Sequence, residues 1–403
     1  MILRPRTPLG VMVVAVSATI LVTLPSCLIG ALGLAIRTDL DFTAAELGIA
    51  VGVFFLTSSV GSLVSGRVAL TERLGVRPTL FAGVFASAAV MLFIAWFAQG
   101  WMHVVVALAV SGVANGVVQP GVNLAIARRI PREHMGLALG VKQAAIPAAT
   151  LLAGVAVGLL AVLGDWRVAW WIGAAATVAF LVVAFFVAPK ESVRFTRPAA
   201  TGEAARRGGL RLDGSLLRVT IASILASMGA NALRVFFVES AVSQGESFAT
   251  AGLILSIASI VAILTRLVSG YRSDRVTRHP YGTAAFLMLA GAAGYALMGV
   301  ADEVWALLVA AILGISAGWG WSSLVQLGAM RAHLDAASAA SSYVHFGGLF
   351  GNLLGPIAFG LLLPAGYTLA WSILAGLSAI GAGLMLLDVG LQRRTRRGGS
   401  EGV

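Results

Sequence analysis

Arg234 stands inside an otherwise apolar run and shares one helical stripe with Ser223, Ser227 and Asn231, at spacings i, i+4, i+8 and i+11. At 100° per residue those four side chains fall on one narrow face. A guanidinium there can hold a carboxylate or another oxyanion through its charge and its forked N–H donors. An arginine in the middle of a membrane costs about 2.5–3.5 kcal/mol on insertion scales. It is therefore expected either to face a polar interior or to snorkel about 9 Å outward to the end of its run. Three other runs carry comparable stripes: Thr19, Thr23 and Ser26; Asn115, Gln119 and Asn123; Trp319, Ser323 and Gln326. The amides and Arg234 suit a cavity lining, whereas Ser and Thr residues serve equally well as glue between helices. Lys142, beside Gln143 early in its run, is a second candidate cation, or else an interfacial anchor. His345 lies on a stripe with Ser338, Ser342 and Asn352, and can carry a proton or simply a hydrogen bond.

Equally informative is the chemistry that is missing. No carboxylate lies deep in any apolar run, since Glu46, Glu239 and Asp388 all sit near run ends. A carrier of cations needs a buried acid to hold its cargo. With Arg234 and Lys142 as the deep charges, the favoured ligand is a small anion or a neutral polar solute, with Trp319 packing its apolar part. His103, His134, His279, His333 and His345 are scattered along the chain, so neither a metal site nor a catalytic cluster is expected. No nucleotide-binding loop is present, and no cofactor is called for. A membrane enzyme is disfavoured on these grounds, and a sensor for want of an appended signalling domain.

These residues must be positioned by membrane-crossing helices. The chain has 403 residues, of which 59% are hydrophobic and only 11% charged, with a mean hydropathy of +0.93. A soluble surface needs about 25% charge. Apolar runs recur at 9–36, 45–66, 78–98, 103–127, 136–163, 166–188, 215–240, 248–270, 281–300, 304–330, 336–362 and 366–390. Each matches the roughly 20 residues that cross a bilayer as a helix, and period-2 alternation is absent. Of the 28 basic residues, all but Arg37, Arg167 and Arg234 fall in one alternate set of breaks or in the termini. Positive segments stay on the cytoplasmic side, so both termini are expected there. The net charge of +11 is then a topology signal rather than a nucleic-acid patch. Trp96, Trp101, Trp166, Trp170, Trp171, Trp305 and Trp371 form an expected interfacial belt at the opposite boundary. A lipoprotein signal ending at Cys27 is set aside, because the apolar run continues to Ile36.

The pattern repeats. Val64-Ser65-Gly66-Arg67 with Glu72-Arg73-Leu74-Gly75-Val76-Arg77 follows the second span; Val268-Ser269-Gly270-Tyr271 with Asp274-Arg275 follows the eighth, 204 residues on. The long polar segment from Lys190 to Ser215 separates the halves. The expected organisation is a six-helix bundle over 1–189, a linker over 190–214, a second six-helix bundle over 215–391 and a basic tail over 392–403. These two loops, twelve spans and a central linker resemble the major facilitator superfamily, over essentially the whole chain. The resemblance implies an all-α membrane protein of two pseudo-symmetric bundles, a transporter working by alternating access, with spans one, four, seven and ten bordering the cavity. It implies that Gly66, Glu72, Arg73, Gly270, Asp274 and Arg275 act as a gate on the side of the termini, although such residues could also only anchor helix ends. The first copy is stretched by about two residues and has Glu72 where the family usually has Asp. The runs Gly140-Val141-Lys142-Gln143-Ala144-Ala145-Ile146-Pro147 and Gly318-Trp319-Gly320-Trp321 resemble the cyanate and 2-nitroimidazole permease branch. The expected function is secondary transport of a small anion across a bacterial plasma membrane, by a monomer, with a proton as the candidate coupling ion. Thr23, Asn115, Gln119, Lys142, Asn231, Arg234, Trp319, Gln326 and His345 are the expected solute-binding residues. Efflux of hydrophobic drugs is the alternative, since Trp, Met and Phe could line such a cavity.

Overall fold

The computed structural model describes residues 8–67, 70, 74–131, 134–187, 213–273, 280–333 and 336–398. Twelve long helices carry the chain: α1 (Pro8–Ala31), α2 (Ala44–Arg67), α3 (Val76–Phe97), α4 (Trp101–Arg129), α5 (Met135–Leu163) and α6 (Arg167–Val187) in the first half. The second half holds α7 (Gly214–Ser243), α8 (Phe248–Ser273), α9 (Pro280–Met298), α10 (Val304–Ala332), α11 (Ala337–Leu362) and α12 (Tyr367–Gly398). All twelve contain a stretch long and apolar enough to cross a membrane. Hydrocarbon leaves no partner for an open backbone, so each crossing closes its own hydrogen bonds. Pro25, Pro120, Pro147 and Pro356 sit inside helices without ending them. The first helix runs through Pro25 and Cys27.

Local chemistry sets the ends. Thr43 and Glu46 cap α2 reciprocally: the Glu46 N–H donates to Thr43 Oγ1 at 3.2 Å, and the Thr43 N–H to Glu46 Oε2 at 2.7 Å. Glu46 is thereby a helix-start residue. Gly164 closes α5 with φ +72°, the left-handed conformation that glycine adopts freely. Asp213 caps α7, accepting the Leu216 N–H at 2.7 Å. α10 is interrupted by a π turn, Leu313–Ala317, immediately before Gly318-Trp319-Gly320-Trp321. The Tyr295 ring of α9 lies against Gly314 and Gly318 there.

The helices form two bundles. In the first, α2 packs on α4, α3 on α4 and α6, and α1 on α5; in the second, α7 packs on α11 and α12, and α9 on α12. The bundles meet through α1 against α7, α2 against α11 and α5 against α8. Small residues permit the closest crossings. A Cβ on Gly48 would strike the Pro356 carbonyl, and one on Gly252 would lie 2.7 Å from the Gly154 carbonyl. Both crossings lie toward the face away from the termini, called here the far face.

Below them the α2–α11 seam opens. Gly48 and Gly52 of α2 are packed on α11, whereas Leu56, Val60 and Leu63, farther along α2, are more than half or about half exposed. On α11 the packed Pro356 and Leu353 give way to exposed Phe350, Phe346 and Ser342. The α2–α11 seam is closed at the far face and parted toward the face that carries the termini, while α5 and α8 stay in contact.

The tryptophan belt differs from expectation. Trp96, Trp171 and Trp305 are exposed at the far boundary, but Trp166, Trp170 and Trp371 are buried in the bundles. Two of these spend their N–H on protein acceptors, Trp166 on Asp39 at 3.1 Å and Trp371 on Ser240 at 3.1 Å. Composition alone cannot separate an interfacial indole from one packed a turn deeper.

Candidate functional site

α7 is the most enclosed helix, with residues 229–241 all buried. Arg234 therefore has no route to lipid or headgroups and does not snorkel. It is 6% exposed and reaches across the interface between the halves. Its Nη1 donates to Ser26 Oγ at 3.2 Å and to Cys27 Sγ at 3.1 Å, both on α1. Its Nε and Nη2 both donate to Asn231 Oδ1, at 3.0 and 2.8 Å. The Phe55 ring of α2 lies 5.6 Å from the guanidinium carbon, a cation–π distance. Asn231 is fixed in turn, its Nδ2 donating to the Asn352 carbonyl of α11 at 2.6 Å. Among the described residues no carboxylate pairs with Arg234; every group that holds it is neutral.

Four helices of both halves thus converge on one cation. Asn352 Oδ1 and Ser227 Oγ are buried nearby without a hydrogen-bond partner, leaving polar capacity beside it. Trp319 joins from α10: its indole N–H donates to the Ala230 carbonyl at 3.3 Å, adjacent to Asn231. Thr23 is buried one turn below Ser26, and its carbonyl accepts the Ser26 hydroxyl at 2.8 Å.

The other expected residues fall into two further places. Asn115 donates to Ser58 Oγ of α2 at 2.8 Å, and Gln119 donates to Asn115 Oδ1 at 3.2 Å. That pair ties α4 to α2, with Gln119 Oε1 left without a partner. Lys142 and His345 sit instead at a similar depth, each about two turns into its helix, α5 and α11. Lys142 is 9% exposed, so it is enclosed rather than spread on the surface as an anchor. Gln326 is half-buried on α10. Of the expected gate, Gly66 and Gly270 lie at the ends of α2 and α8, and Glu72, Arg73, Asp274 and Arg275 lie outside the described residues, as does the linker from 188 to 212.

A contact the sequence did not announce bridges the far face. Arg37 Nη2 donates to Glu239 Oε1 at 2.6 Å and its Nε to Oε2 at 3.2 Å, while Tyr367 Oη donates to Oε1 at 3.1 Å. Arg37 follows α1 and Glu239 ends α7, the corresponding helices of the two halves. Opposite charges at corresponding ends were the available signal. Cys27 and Phe55 carried none, since a thiol and a phenyl ring in apolar runs look like packing.

Near the termini, Asp213 links α7 to α10, with His333 Nε2 3.2 Å from its Oδ2. Burial would raise this carboxyl, but the Leu216 N–H and His333 outweigh it and hold Asp213 below the usual carboxylate range. An apolar cavity lined by α1, α3, α4 and α6, with Arg77, Arg128 and Arg129 at one end, lies within the first half and touches none of the expected solute residues.

Comparison with known proteins agrees with the geometry. The family model described as Major Facilitator Superfamily matches residues 11–347 and, a second time, 221–402. The chain is 32% identical over 141 residues to the multidrug resistance protein MdtG of Proteus mirabilis (strain HI4320). That match covers 35% of this chain and 34% of the relative's length. Among solved structures, a mutant of the nucleoside transporter NupG superposes with a TM-score of 0.74 at 15% identity, covering 93% of this chain and 99% of that one. At that identity the shared property is the fold.

Proposed function

Because the chain belongs to the major facilitator superfamily, we propose that it is a secondary active transporter moving a small organic or inorganic anion by alternating access. It is a multi-pass membrane transporter and not an enzyme; the cargo is the proposal. The observation that carries it is Arg234, a buried cation that neutral groups from both halves hold without a carboxylate among the described residues. An intramembrane charge is costly unless it is compensated, and a bound anion supplies that compensation. Asn231 directs the guanidinium, Trp319 covers the apolar part of the solute, and Thr23 borders the site. Asn115, Gln119 and Gln326 line the path on α4 and α10.

Orientation belongs to the same reading. The basic loops put both termini in the cytoplasm of a bacterial cell, so the parted face opens inward and the Arg37–Glu239 contact closes the outside. The segment 190–214 joins halves 1–189 and 215–391, and the paired loops around Glu72-Arg73 and Asp274-Arg275 close the inner face when the outer opens. The protein works as a monomer, with a proton as coupling ion.

A thermal-shift screen of the purified chain against small carboxylates, inorganic oxyanions and lipophilic cations tests the cargo. Stabilisation by an anion that Arg234→Gln abolishes, with expression intact, is expected. Unchanged binding or transport in Arg234→Gln rejects the role. The partial match to a multidrug resistance protein favours a second reading, efflux of hydrophobic compounds; stabilisation by lipophilic cations alone would establish that one instead.

A further inference from the structure

Arg266 entered the sequence only as a topology charge, yet the structure gives it a cross-half bond. Its Nη1 donates to the Gln143 carbonyl of α5 at 2.5 Å. The next residue back is Lys142, and His345 stands on α11. All three sit at one depth: two turns into α5, two turns from the end of α8 and two turns into α11. That is roughly 10–12 Å of helix rise from the face of the termini. His345 is exposed where the α2–α11 seam is parted, and Arg266 is half-buried.

A tie between α5 and α8 explains the bond of Arg266 to a carbonyl. It does not explain why a lysine stands beside it. Two cations and an imidazole at one level are like-charged neighbours with no counter-charge on their own helices, and a charge inside a membrane is costly unless it is compensated. Neither Lys142 nor Arg266 has a carboxylate partner among the described residues. Nor do the described helices α5, α8, α10 and α11 themselves contain an Asp or Glu. The cost is relieved if an anion enters.

We propose that Lys142, Arg266 and His345 form a second anion subsite at the mouth of the parted cleft, where a carboxylate or other oxyanion waits before reaching Arg234. The naming of the cargo rests on the anion reading of Arg234; the placement does not. The two subsites lie on one line through the interface. Thr150, whose hydroxyl is 3.8 Å from Cys27 Sγ, is eight residues beyond Lys142 on α5, about 12 Å of rise. A cationic mouth raises the local concentration of anions in the cleft, and the approach to Arg234 then passes from charge to charge rather than through bare apolar wall.

The test uses the full chain in neutral-lipid nanodiscs, titrated with acetate, malonate, sulfate and phosphate at constant ionic strength, with chloride as balance. Melting temperature is the readout. For an anion that stabilises the wild type saturably, Lys142→Gln and Arg266→Gln are each expected to weaken apparent affinity tenfold or more, while Arg266→Lys stays within threefold. Should Arg266→Lys lose as much as Arg266→Gln, the role is structural and the subsite is rejected. If both neutral variants bind within twofold of wild type while Arg234→Gln does not bind, the subsite falls and the Arg234 reading stands. The reverse pattern retains the subsite and removes Arg234. No stabilisation by any of the four anions overturns both. Gel filtration checks folding, and His345→Gln, outside the cross-half bond, carries the test if Arg266→Gln does not fold.

Discussion

Glu239 is 2% exposed and Arg37 is 23% exposed, so their bond lies between a surface pair and a buried one. Exposed pairs contribute about 0–1 kcal/mol, whereas stripping one partner from a buried pair costs about 3–5 kcal/mol. Glu239→Gln is therefore expected to weaken far-face closure by about 1–3 kcal/mol, leaving Arg37 with Tyr367 as a weaker neighbour. Ala241, fully buried one residue beyond Ser240, is the reporter. In a Cys27→Ser background, Ala241→Cys should label at least five times faster once Glu239 is neutralised. The swap Arg37→Glu with Glu239→Arg should slow it again, and an unchanged rate would reduce the pair to a helix anchor. Asp213 gives a pH-dependent counterpart. Its folded value lies below that of the unfolded chain, so the stability it adds is complete above about pH 4 and is lost as pH falls through the folded value. Asp213→Asn keeps a cap and removes the charge, so the wild type should lose its advantage in melting temperature over that variant between pH 5 and 3. Asp213→Ala should cost about 1 kcal/mol at neutral pH. A gap between wild type and Asp213→Asn that did not change with pH would reject the ionic contribution of His333.

At the scale of helices, closure of the far face depends on how near two backbones can come. Gly154 and Gly252 face each other across α5 and α8, and a methyl group on Gly252 would press on the Gly154 carbonyl and the Gly158 N–H. Gly252→Ala is expected to cost far-face closure about 1–3 kcal/mol, the usual penalty of overpacking, and to speed labelling at the far face. Gly158→Ala is the matched control, because a Cβ there meets nothing within 4 Å. Equal effects from both would mean helix propensity, not the crossing, is being measured. Helices of this kind were legible in sequence because lipid demands a long apolar run and little else can produce one. The twelve spans agree with the helices to within a few residues, and the lipid-facing sides needed no further signal. Pairings between helices were not legible. Arg234 was found because a charge in an apolar run is conspicuous; its partners Cys27 and Phe55 were not, because their types are ordinary in such runs. The π turn at Leu313–Ala317 has no marker in residue type, as one extra residue in a helical turn depends on what packs outside it, here Tyr295. Arg266 shows a sharper limit: near a span end, a topology charge and a site charge look the same.

For the whole molecule, the state described is one of two that alternating access requires. The far face is sealed by Arg37–Glu239, by α2 on α11 and by α5 on α8, and the seam opens toward the termini. On the proposed alternating-access reading this arrangement exchanges for its opposite, with the two bundles tilting as bodies because packed cores are bistable rather than continuously deformable. Freezing the far face should therefore stop turnover without disturbing either bundle. Ala45 and Gly360 are well placed for this, since a Cβ on Gly360 would fall 2.8 Å from the Ala45 Cα. In the Cys27→Ser background, Ala45→Cys with Gly360→Cys should cross-link on oxidation, lose at least nine-tenths of transport in proteoliposomes, and recover it on reduction. A cysteine replacing the exposed Ser342 should stay reactive throughout to reagent from the side of the termini. Turnover that survives the cross-link would mean that solute passes without the far face opening, and rocking of two halves would have to be replaced by movement of single helices within a fixed pair of bundles.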